Sequence, residues 1–151
     1  MSDLRELYQE VILDHSRQPR NRGELDGESC RKANGHNPLC GDKVTVYVDV
    51  QDGVVRNLTF DGVGCAISTA SASLMTEALR GKTIVEVQRM FDEFHALMTS
   101  DDATEAEALG KLQVLAGVRD YPVRVKCATL AWHTLKAAID AGKDAEPVTT
   151  E

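Results

Sequence analysis

Aromatic side chains are scarce in this chain. Phe, Trp and Tyr together make up 5% of its 151 residues, so the core has to be aliphatic, built of Val, Leu, Ala, Ile and Met. Basic residues are in deficit too: 17 Lys and Arg against 24 Asp and Glu give a formal charge of −7. That balance argues against sequence-independent binding of DNA or RNA, which needs clustered cations on phosphate. No apolar run reaches the roughly 18–20 residues of a membrane span. The amphipathic start, MSDLRELYQEVILDH, lacks the apolar core of a signal peptide. A soluble, cytoplasmic protein is expected, with no nucleic-acid or membrane partner. The length suits one domain at roughly 100–200 residues per domain.

No two cysteines form a CxxC knuckle, but there are four of them: Cys30, Cys40, Cys65 and Cys127. A compartment that keeps thiols reduced argues against a disulfide framework, and the chain is long enough to fold without one. Two readings stay open on count alone: buried inert thiols, or metal and sulfur chemistry.

The pattern along the chain is α+β. Leu4, Leu7, Tyr8, Val11 and Ile12 recur at helical spacing, which predicts a helix over 3–15 capped by Ser2 or Asp3. Pro19 and Gly23 end it in a loop carrying Arg17, Arg20 and Arg22, either solvated or a basic docking patch. Valines 44, 46, 48 and 50 alternate with polar residues over 43–50, and Asp52-Gly53 turns the chain into a partner strand over 54–60. An edge strand around 29–35 is a weaker reading. Residues 66–79 turn helical, with Ile67, Ala70, Ser71, Leu74 and Ala78 on one face and Gly81 at the end. Another helix starts near Thr83, and Asp102 with Glu105 has the spacing of a capping box. The last helix is read over 121–141 with Pro122 in its first turn. Its apolar stripe is Val125, Ala128, Trp132, Leu135 and Ile139. A small antiparallel sheet of about three strands, packed against several helices, is expected as a single domain over 1–141, with a frayed tail over 142–151.

Three thiols fall at the ends of predicted elements. Cys40 and Asp42 flank Gly41 in the turn Asn37-Pro38-Leu39-Cys40-Gly41-Asp42, where both side chains can reach one ion from a loop. Cys65 follows Gly62-Val63-Gly64 where a strand gives way to a helix, and amides at a helix start favour thiolate over thiol. Cys127 lies early in the last helix beside the cation Lys126. Cys40, Asp42, Cys65 and Cys127 are a suitable set for tetrahedral zinc. The alternative is three small buried hydrophobes that happen to be cysteine. Cys30 is read as structural. His15 is read as complementing a helix C-terminus, His36 as a solvated loop residue, and His95 and His133 as without chemistry. Met75, Met90 and Met98 are read as packing residues.

The stretches YQEVILDHSRQPRN, NPLCGD, GVGCAISTASASLM and RVKCATLAW together resemble the IscU/SufU (NifU N-terminal-like) family of iron–sulfur cluster assembly proteins, over nearly the whole chain. The SufU branch is the closer likeness, because Lys126 stands where IscU scaffolds carry histidine. The region 94–118 also has the length and position of the SufU insertion. The resemblance implies zinc held by Cys40, Asp42, Cys65 and Cys127. It implies persulfide sulfur accepted on Cys40 from a SufS-type cysteine desulfurase, with downstream Suf assembly proteins as further partners. Such a protein is a zinc-dependent sulfurtransferase that works with a desulfurase, not a stand-alone catalyst. Lys126 and Arg124 would supply electrostatic support, since a nearby cation favours thiolate and persulfide anions. The alternatives are a scaffold for a [2Fe–2S] cluster, with iron in place of zinc, and a small domain with a purely structural zinc.

Overall fold

The structure, a computed structural model, describes residues 2–27, 29–99, 107–141 and 147–149. The elements run α1 (Ser2–Arg17), β1 (Cys30–Asn37), β2 (Asp42–Gln51), β3 (Val54–Val63), α2 (Ala66–Leu79), α3 (Ile84–Thr99), a 3-10 segment (Glu107–Asp120), α4 (Pro122–Ala141) and β4 (Val148–Thr149). The architecture is α+β, as the residue pattern predicts. The sheet has four strands in the order β3-β2-β1-β4, one more than expected. β1 is not the sheet's edge. Val148 and Thr149, inside the stretch expected to fray, lie parallel to it opposite Gly35 and His36. A strand edge offers unpaired N–H and C=O groups, and the chain's own end takes two of these positions.

Alternation decides what faces the core. On β2, Val44, Val46 and Val48 are buried, and so is Asp42 two residues earlier. On β1 the buried residues are Ala33, Gly35 and Asn37. Both strands therefore carry one polar side chain inward at the same end, and the register pairs Asn37 with Asp42. β2 and β3 join through Asp52 (φ 54) and Gly53 (φ 74), the two left-handed positions of a tight hairpin. α4 lies against β1, where a Cβ on Gly35 would collide with Thr134 Oγ1.

α2 is buried almost all round, the mark of a central helix. Ser71 fastens it to α4: its Oγ donates to the Ala128 carbonyl at 2.5 Å and accepts from Trp132 Nε1 at 3.2 Å. Trp132 in turn stacks on Phe94 of α3 with ring centroids 4.3 Å apart. Thr83 caps α3: its Oγ1 accepts the Glu86 N–H, and the Glu86 carboxylate accepts the Thr83 N–H in return. The Asp102–Glu105 capping box lies outside the described residues. The 3-10 segment breaks at Gly110 (φ 55) and still adds Leu109, Leu112, Val114, Leu115 and Val118 to the core. Among the described residues no helix is long and apolar enough to cross a membrane.

His15 departs from its sequence reading. It is 1% exposed, and its Nδ1 lies 2.7 Å from Ser73 Oγ on α2. Ser73 Oγ also accepts the Arg20 N–H at 2.8 Å. The ring is a bolt between α1, the loop after it and α2, not an exposed cation at a helix end. The arginine loop is fastened as well. Arg20 pairs with Asp14 at 2.6 Å, and Arg22 reaches Asp61 Oδ1 at 3.2 Å and the Gly62 carbonyl at 2.7 Å.

Burial is the main cause that lowers the His15 pKa from its ordinary 6.5, followed by the nearby Arg20 charge. The unfolded chain then binds the proton more readily than the folded one. The contribution is complete above pH 6.5 and is lost as the pH falls through the lower folded value. Urea unfolding should show stability dropping from about pH 7 to about pH 5. His15→Gln should flatten part of that slope, the remainder coming from His133, which burial also lowers.

Candidate metal centre

Three segments bring the site residues to one end of the sheet. The first is the connection between β1 and β2. Asn37 Oδ1 accepts the Leu39 N–H at 3.1 Å, the Asn37 carbonyl accepts the Cys40 N–H at 3.3 Å, and Gly41 (φ 71) takes the left-handed step. Cys40 is half-buried at this turn. The second is the passage from β3 into α2. A Cβ on Gly62 would collide with the Lys43 carbonyl, and one on Gly64 would stand 2.9 Å from Asp42 Oδ1, so only glycine lets this turn press on β2. Cys65 is the N-cap of α2, its sulfur accepting the Ser68 N–H at 3.4 Å. The third is the first turns of α4, where Cys127 is 2% exposed.

The side chains meet. Cys127 Sγ lies 2.9 Å from Cys40 Sγ. Asp42 Oδ1 accepts the Cys65 N–H at 2.8 Å, and Asp42 Oδ2 is 3.8 Å from Cys65 Sγ. One ligand atom each from Cys40, Asp42 and Cys127 lies within 4.8 Å of the others. Cys65 stands outside that threesome and joins it through Asp42. Asp42 is a strand residue whose side chain the alternation of β2 turns inward, not the loop chelator of the sequence reading.

Burial pushes the Cys127 thiol well above its usual range, and the contact with Cys40 and the nearby Cys65 and Asp42 push it further. In the metal-free protein Cys127 keeps its proton and donates it toward Cys40 Sγ. The carboxylate and the two other sulfurs beside it make ionising Cys127 costly. A divalent cation would offset that cost. Three sulfurs and one oxygen are the donors that tetrahedral zinc takes, so the residues present fit that ion.

Of the other residues singled out in the sequence, Lys126 is half-buried on α4, next to Cys127, and Arg124 is exposed one turn earlier. Cys30 opens β1 opposite Asp49, at the far end of the strand from Asn37. His36 is exposed on β1 itself, not in a loop. Asn37 was given no role by sequence reasoning. Fully buried, it holds the Cys40 turn with its oxygen, and its Nδ2 donates toward Cys127 Sγ at 3.7 Å. The signal was present: in KANGHN, Ala33, Gly35 and Asn37 share one face of the strand. Ser71 was read only as sharing one helix face with Ile67, Ala70, Leu74 and Ala78; it is the hydrogen-bonded fastening to Ala128 and Trp132.

A family profile described as the NifU-like N-terminal domain matches residues 7–128. The iron–sulfur cluster assembly scaffold protein IscU of Streptococcus pyogenes serotype M1 is 38% identical over 151 residues, 100% of this chain and 94% of the relative. The zinc-dependent sulfurtransferase SufU of Bacillus subtilis is 38% identical over 138 residues, 91% and 92% of the two chains. A crystal structure of a SUF-system cluster assembly scaffold protein from Fervidobacterium islandicum AW-1 superposes with a TM-score of 0.80. It is 32% identical and covers 89% of this chain and 98% of its own.

Replacing the buried carboxylate tests the donor set. Asp42→Asn keeps an oxygen for the Cys65 N–H but removes the charge. It should weaken zinc binding by at least about tenfold in competition with a chromophoric chelator, with little change in circular dichroism. Unchanged affinity would place the metal elsewhere.

Proposed function

This chain belongs to the NifU-like N-terminal domain family, and we propose that within it the protein acts in iron–sulfur cluster assembly as a zinc-dependent sulfur-transfer protein. It accepts persulfide sulfur on Cys40 from a SufS-type cysteine desulfurase and passes it to downstream assembly proteins in the cytoplasm. The observation that carries this reading is the approach of Cys40, Asp42 and Cys127 to within 4.8 Å of one another, with Cys65 Sγ 3.8 Å from the same carboxylate. Cys40, Asp42, Cys65 and Cys127 would hold the zinc, which supplies thiolates kept deprotonated at neutral pH.

The three thiols are not equivalent as acceptors. Cys127 is buried; Cys65 is as half-exposed as Cys40 but is held as a helix cap, whereas Cys40 sits in a glycine-containing turn. Cys40 is therefore the half-exposed sulfur that no helix cap ties down. Its thiolate attacks the outer sulfur of the donor persulfide, a new S–S bond forms on Cys40, and the donor cysteine leaves as thiolate. Lys126 and Arg124, close in sequence to Cys127, add positive charge where anionic sulfur accumulates. The surroundings suit a protein donor better than a free small molecule. Leu39, Val63, Tyr121 and Val123 are 61%, 67%, 59% and 51% exposed, and each lies within six residues of a candidate ligand. Such an apolar rim around a reactive centre is the surface a partner buries.

The second reading, a scaffold for a [2Fe–2S] cluster, draws on the IscU relative, which is as similar as the SufU relative. Lys126 favours transfer, since a protonated ammonium cannot serve as a spare cluster ligand. Mass spectrometry of each thiol after incubation with a cysteine desulfurase and cysteine decides the role of Cys40. One added sulfur is expected on Cys40 in the parent and none on the Cys40→Ser variant; loading unaffected by that substitution would end the transfer reading. Iron with sulfide in protein isolated anaerobically, in place of zinc, would favour the scaffold.

A further inference from the structure

Two histidines stand outside both the sulfur chemistry and the core. His95 on α3 is exposed and His133 on α4 is half-buried, with their ring centroids 6.0 Å apart. Phe91, one turn before His95, touches both rings: it stacks on His95 at 6.2 Å and meets His133 edge-on at 5.4 Å. Among the described residues neither imidazole takes part in a hydrogen bond, and no buried side-chain nitrogen lacks a partner. The unpartnered ring nitrogens of His133 therefore keep contact with solvent. His15 is the contrast, with its Nδ1 committed to Ser73 at 2.7 Å.

Imidazole is the commonest metal ligand among side chains, and it binds through a neutral nitrogen. Burial lowers the His133 pKa from its ordinary 6.5, and the nearby His95 and Lys136 lower it further. At neutral pH this ring offers a lone pair without first losing a proton. The spacing suits a shared ion. With metal–nitrogen bonds of about 2.0–2.1 Å, two imidazoles on one tetrahedral ion have ring centres roughly 5.2 Å apart. The pair has to close by less than about 1 Å, and His95 is the exposed ring that can turn to do so. The charge nearby is not prohibitive. Lys136 Nζ lies over the Phe91 ring, 5.1 Å from its centroid. Two carboxylates offset it: Asp92, one turn before His95, and Asp140, which lines the same groove as His133.

We propose that His95 and His133 form a second, two-histidine site for a divalent transition-metal ion, which clips α3 to the helix that carries Cys127. The only threefold ligand group among the described residues is the one at the sulfur pole, so water fills the remaining positions here. Zn²⁺, Ni²⁺ and Cu²⁺ are the ions that take imidazole in this way. The site lies six residues beyond Cys127, roughly 9 Å along the helix axis, and the sulfur-transfer reading stands or falls without it.

The probe is Ni²⁺, added to the full chain already loaded with one equivalent of zinc. Trp132 is the chain's single tryptophan and directly precedes His133, so its fluorescence should be quenched in one saturable step. The ring resonances of His95 and His133 should broaden in the same titration of ¹⁵N-labelled protein. His95→Ala changes an exposed position and should weaken Ni²⁺ binding by about a hundredfold, because the second of two linked donors binds intramolecularly. His133→Asn should do the same, while His36→Ala should leave the affinity unchanged. Sulfur loading of Cys40 in His95→Ala should match the parent, which keeps this test apart from the transfer reading. No saturable binding to the parent, equal affinity in His95→Ala, or quenching that tracks release of zinc would overturn the proposal.

Discussion

The Asp42 carboxylate is fully buried, and the hydrogen bond its Oδ1 accepts from the Cys65 amide at 2.8 Å is the contact on which the rest of the site depends. It ties the first residue of β2 to the first turn of α2. A carboxylate at a helix N-terminus satisfies an orphan amide and the helix dipole together. Without that donor the buried carboxylate would lose a charge-assisted hydrogen bond worth about 1.5–3 kcal/mol. The glycines follow from this contact. At Gly64 a side chain would crowd Asp42, and at Gly62 it would strike the β2 backbone.

Around that bond the thiols are held with different firmness. α2 and α4 are locked together by Ser71 against Ala128 and Trp132, and α2 is bolted to α1 through His15 and Ser73. Cys65 and Cys127 therefore ride on helices that cannot shift without breaking buried hydrogen bonds, each worth about 1 kcal/mol. Cys40 rides on a short turn stayed by Asn37. The frame thus carries two of its sulfurs on helices and one on a turn.

The relatives carry both roles under one fold, since a scaffold and a sulfurtransferase are equally similar to this chain. Fold does not separate them. On the reading proposed above, the difference rests on individual side chains near the sulfurs, and Lys126 beside Cys127 is the one that favours transfer. Lys126 also borders the open groove between α4 and β4. The two faces of early α4, one carrying a thiol and the other a cation, thus connect the sulfur pole to a second surface.

Much was legible in the residues. The valine alternation and the Asp52-Gly53 turn announced the β2–β3 hairpin, and the helical spacing of Ile67, Ala70 and Leu74 announced α2, because these signals are local and repeat with the period of the element. Extending the alternation by one step would also have turned Asp42 and Asn37 inward. The residues alone determined which sulfurs and which carboxylate were available. Only the tertiary structure brought Cys40 Sγ to 2.9 Å from a cysteine 87 residues away, bolted the buried His15 to Ser73, and laid Val148–Thr149 along β1. Those pairings depend on how α4, α2 and the sheet pack, and no periodicity along the chain encodes the distance between residues that meet through the core.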